Sequence, residues 1–117
     1  QYMSKLHNEV KETQSLVDDI EKLGYKALDK DDLELINKFI ESLEPYLQMV
    51  DSTINALENK LNDKYCGETE KELLFYNYKS RELHRLIPEL KKHAINTKAS
   101  LVAQGGYHGN SEVVRSA

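Results

Sequence analysis

Apolar residues return every three or four positions along most of this chain, in three separate runs. The first run is Met3, Leu6, Val10, Thr13, Val17 and Ile20, widened by Leu16 and Leu23. The second is Leu33, Ile36, Ile40, Leu43, Leu47, Val50, Ile54, Leu57 and Leu61, nine heptad core positions with no polar interruption. The third continues the spacing through Leu73, Tyr76, Ser80, Leu83, Ile87, Leu90, Ala94, Thr97 and Leu101. A sustained 3.5-residue period predicts long, nearly antiparallel helices packed like a coiled coil.

Local signals punctuate the runs. Gly24 is placed to end the first helix. Asp31 with Glu34 is a plausible capping pair for the second, and Thr69 with Glu72 a capping box for the third. Gly105-Gly106 ends the third. Pro45 and Pro88 fall inside the second and third runs, where proline removes a backbone hydrogen bond. The apolar phase crosses both without slipping, so each helix is expected to continue through a kink. With the hairpin turn near Cys66-Gly67, the two prolines lie at similar heights.

The predicted fold is therefore all-α: an elongated antiparallel helical hairpin plus a shorter third helix, a three-helix bundle. A four-helix bundle broken at Pro45 is the alternative. Helices are expected at about 3–23, 31–62 and 69–104, forming a bundle over 1–104, followed by a flexible Gly-rich tail over 105–117.

The lengths are unequal. The second and third helices would run about 45–55 Å at 1.5 Å per residue, against some 22 residues in the first. A first helix antiparallel to the second reaches only to about Thr53. The hairpin tip beyond it holds Ile54, Leu57, Leu61, Tyr65, Leu73, Leu74, Phe75, Tyr76 and Tyr78. Two helices cannot bury them all. Leu73 and Tyr76 point into the seam, and Leu74, Phe75 and Tyr78 point outward.

Leu74, Tyr78, Arg81 and Arg85 are spaced 4-3-4 and form one stripe, with Phe75 beside it. Aromatics and arginines around an apolar centre are the residue types concentrated in interface hot spots. These five residues are the expected partner-binding site. A further outward line of Leu74, Pro88, Ile95 and Val102 also favours another helix packing there.

Composition narrows the function classes. The chain has 117 residues, 31 % charged, with two prolines, five glycines and a net charge of −4, so no overall basic field advertises nucleic acid or an anionic membrane. Charge is uneven, however. Residues 1–63 hold fourteen acids against seven lysines, and residues 64–117 hold nine basic residues against six acids. Internal complementarity between neighbouring helices accounts for this simply. The single Cys66 excludes an internal disulfide, and a reducing, cytoplasmic setting is the simpler expectation. No apolar run approaches a membrane span. The chain opens QYMSK, so either its terminus is processed or Met3 is the start behind two extra residues.

Other chemistry is sparse. Lys79, Arg81, Arg85, Lys91, Lys92 and Lys98 with Tyr78 could hold phosphates and stack bases, the second reading of the third helix. No Glu-x-x-His pair marks a di-metal bundle site. Glu89 and His93, four apart, read as an exposed acid–histidine pair, and the DKDD run at 29–32 as an acidic helix cap. No catalytic arrangement, cofactor motif or metal-ligand spacing is evident. The sequence is thus expected to encode a non-enzymatic protein–protein interaction module of binding, inhibitor or adaptor type. Its partner would be another protein or itself as a homodimer. A nucleic-acid-binding accessory protein is the alternative.

Overall fold

The computed structural model describes residues 2–105. Three helices and no strand make up these residues: α1 (Tyr2–Leu23), α2 (Lys30–Asp63) and α3 (Gly67–Ala103), with one 3-10 turn (Tyr25–Ala27) between α1 and α2. The body measures 62 × 28 × 20 Å and has a radius of gyration of 18.4 Å. A compact chain of this length would have about 13 Å, so the fold is elongated.

Both prolines lie within continuous helices, and the break at Pro45 does not occur. Each is exposed. The carbonyl that loses its N–H partner therefore faces water, which makes the proline tolerable. The prolines also lie at matching heights. Lys91 pairs with Glu44 at 2.8 Å, and Ser80 donates to Asp51 at 2.9 Å, fixing the antiparallel register of α2 and α3.

The helix starts differ from the predicted caps. At α2 the capping box is Asp29 with Asp32, two residues before Asp31–Glu34. Asp32 N–H donates to Asp29 Oδ1 at 3.0 Å, and Asp29 N–H donates to Asp32 Oδ2 at 2.8 Å. The Asp32 backbone N–H is the largest influence holding the Asp29 carboxyl below its ordinary pKa. At α3 the N-cap is Cys66. Thr69 falls in the first turn and is buried against the seam, so it is not a cap. Gly24 ends α1 as expected, with φ of +84°, where a side chain would be strained.

α1 runs alongside α3 in the same direction and packs chiefly on it, touching α2 far less. The pairs His7–Lys79, Gln14–Arg85 and Tyr25–His93 mark that register. As a result α3 buries three adjacent stripes, each with a seven-residue repeat. Thr69, Tyr76, Leu83, Leu90 and Thr97 form the central one. Ile87 and Leu101, with Ser80 half-buried in the same row, lie on the flank beside α2. Lys79, Leu86 and His93 lie on the flank beside α1.

The central core is Leu6, Ile36, Leu43, Val50, Leu83, Leu86 and Leu90, all fully buried. The first turn of α1 brings Tyr2 against Tyr46 and Tyr76, with ring centroids 5.9 and 6.3 Å away. Beyond that level α2 and α3 continue as a two-helix arm. The tail beyond Gly105, including Tyr107 and His108, lies outside the described residues. No described helix is long and apolar enough to cross a membrane.

Candidate functional site

The five residues singled out from sequence separate on α3. Leu74 and Tyr78 keep 65 % and 55 % of their surface, and Arg81 and Arg85 are also exposed. These four lie on the side of α3 opposite its core stripe, because steps of four and three residues return to one face. The same row continues through Pro88, Lys92, Ile95, Ala99 and Val102, every one exposed. Ile95 retains 68 % of its surface and Val102 42 %. Arg85 is tethered at its head, donating to Gln14 Oε1 on α1.

Phe75 is the departure from the predicted patch. It sits toward the α1 side, half-buried, edge-on to Tyr76 at 5.3 Å between centroids. Its ring joins the packing just past the start of α1. It packs toward the core and is not part of the exposed row.

Lys79 is a larger departure. Read from sequence as part of a basic face, it is only 4 % exposed. Its Nζ donates to Glu82 at 3.0 Å and to His7 Nδ1 at 2.9 Å, and lies 5.5 Å from the ring centres of both Phe75 and Tyr78. A buried ammonium is stable only when paired in this way. The interaction leaves Lys79 unable to reach a phosphate. Lys91 and Lys92 are paired to Glu44 and Glu89. Of the basic face expected from sequence, Lys79 is withdrawn from the surface, while Lys91 and Lys92 stay exposed beside their acidic neighbours.

His93 corrects the expectation of an exposed acid–histidine pair. It is 3 % exposed, in the same row as Lys79 and Leu86. Its Nδ1 lies 2.6 Å from the Tyr25 hydroxyl, which also accepts from Asn96 Nδ2 at 3.1 Å. Nε2 is 3.6 Å from Glu89 and 3.8 Å from Glu21, and has no hydrogen-bond partner. The 3-10 turn is what brings Tyr25 over the ring. Sequence spacing linked Glu89 to His93 but carried no sign of Glu21, Tyr25 or Asn96, which tertiary packing supplies.

At the far end of the arm, Cys66 is exposed beside Tyr65, whose hydroxyl donates to Glu70 at 2.8 Å. The Thr69 N–H, then its hydroxyl and the Glu68 N–H, pull the Cys66 thiol below its ordinary pKa. Comparison of the chain with protein-family models, curated proteins and solved structures yields no match.

Proposed function

We propose that this chain is a non-enzymatic protein-binding module that pairs with a second copy of itself through the open face of α3. The observation that carries the reading is the row Leu74, Tyr78, Arg81 and Arg85, more than half exposed at its apolar members and facing away from the core. Its 4-3-4 spacing matches the seam that α2 and α3 already form, so a second helix can pack there with the same geometry.

A two-fold axis between Tyr78 and Arg81 makes the row complementary to itself. In an antiparallel pair Tyr78 of each copy meets Arg81 of the other, and Leu74 meets the stem of Arg85. Arginine over a tyrosine face, with aliphatic stems covering leucine, supplies attraction without requiring opposite charges. The contact is isologous, so it closes as a dimer. Burying two aromatics and two leucines supports a weak, reversible dimer.

Sedimentation velocity across a concentration series tests the reading. The wild type is expected to shift from monomer to dimer with concentration, and Leu74→Ala with Tyr78→Ala to stay monomeric. A wild type that stays monomeric, or a double variant that dimerises equally well, overturns it.

A further inference from the structure

We propose that His93, Glu89 and Glu21 form a binding site for a divalent transition-metal ion of the Zn2+ type. The site is centred on His93 Nε2. This nitrogen is buried, lacks a hydrogen-bond partner, and is aimed between two carboxylates 3.6 and 3.8 Å away. One oxygen from each carboxylate and the imidazole nitrogen lie within 4.8 Å of one another. Tetrahedral Zn2+, with bonds of about 2.0–2.2 Å, holds its ligand atoms about 3.3–3.5 Å apart. A small rotation of the two glutamate side chains closes that difference.

The donor set selects the ion class. One imidazole and two carboxylates suit zinc and its transition-metal neighbours, whereas Ca2+ and Mg2+ take oxygen ligands throughout. Two carboxylates with a neutral imidazole also carry the charge that a dication cancels. The imidazole is already oriented from its far side. If Nε2 binds the ion, Nδ1 carries the hydrogen and donates to Tyr25 Oη, itself held by Asn96. Outer partners of this kind fix the ring and raise the ligand's basicity.

Access is open. Glu21 is exposed at the last turn of α1, and Glu89 is half-buried on α3. Lys92 approaches the same Glu89 oxygen at 3.8 Å, but its side chain is 61 % exposed and can swing into solvent. With three protein ligands the fourth position faces water. A bound ion ties the end of α1 to α3, so occupancy raises the stability of that docking. Unlike the proposed dimer, this site needs only one chain.

The test is Zn2+ titration calorimetry on the full chain without added tags, with Co2+ absorption as a readout of coordination. Wild type is expected to take one ion per chain in the micromolar range and to give the intense visible bands of four-coordinate Co2+. Glu21→Gln, at an exposed position that leaves the fold intact, weakens Zn2+ binding at least about tenfold and removes those bands. His84→Asn, on another face of α3, leaves both unchanged. If Glu21→Gln binds as tightly as wild type, the ion is held adventitiously elsewhere and the proposal fails. Absence of binding to wild type overturns it, as does an equal loss in His84→Asn.

Discussion

Around Leu43 and Leu90 the seam between α2 and α3 is roofed by α1, and both leucines are fully buried. Near Leu61 and Leu73 the same seam, with the same spacing and similar side chains, has no third helix, and both residues stay half-exposed. The two regions differ in coverage and not in pattern. Stability therefore concentrates where α1 lies. The uncovered arm is held by fewer buried groups, and the exposed row proposed for pairing runs from it along the back of α3, beside α1.

Deleting a core side chain in each region gives the largest expected difference. Leu86→Ala in the roofed body is expected to cost about 2–5 kcal/mol in urea denaturation. Leu61→Ala in the arm, already partly in water, is expected to cost about 1 kcal/mol. Equal losses would show that the arm is as tightly built as the body.

The next effect comes at the boundary between them. Lys79→Ala leaves Glu82 and His7 without their donor and is expected to cost about 1–3 kcal/mol by the same measurement. Lys79→Met keeps the apolar stem under Phe75 and Tyr78, so it should lose less.

Smaller still is the effect at Tyr2, whose hydroxyl is buried without a partner. Tyr2→Phe removes that orphan group and is expected to be neutral or stabilising by up to about 1 kcal/mol. Burial, and then the neighbouring Tyr76 and Tyr46, raise the Tyr2 pKa. Burial also raises that of Tyr76. A raised tyrosine pKa means folding favours the neutral phenol. The contribution is complete below about pH 10, the unfolded value, and is lost as pH rises through the folded value. Thermal melts above pH 10 should therefore fall less steeply in Tyr2→Phe than in wild type.

Much of this architecture could be read from the chain itself. The three apolar runs gave the helices, the unbroken phase carried α2 and α3 through Pro45 and Pro88, and Gly24 marked the end of α1. Unequal helix lengths also foretold a two-helix arm, which holds Leu74, whereas Tyr78 lies beside α1 and is exposed because it is on the face of α3 away from the core. What could not be read was which side of α3 receives α1. Lysine and histidine types argue for solvent, yet Lys79 and His93 are buried because they flank Leu86 by seven residues on the face that α1 covers. Leu86, an apolar residue outside the predicted seam, was the one local sign of a second buried stripe. Glu21 and Tyr25 meet His93 from some 70 residues away, a distance over which spacing rules carry no information.

The proposed self-pairing of α3 can be tested most directly with the cysteine the chain already has. A nitroxide on Cys66, an exposed thiol with a lowered pKa, reports the distance between copies by pulsed electron double resonance. An antiparallel pair centred between Tyr78 and Arg81 places the two labels about 40 Å apart, from 1.5 Å per residue along each helix. A narrow distribution near that value, abolished by Tyr78→Ala, is the predicted result. No intermolecular distance, or one below about 25 Å from tip-to-tip pairing, would contradict it.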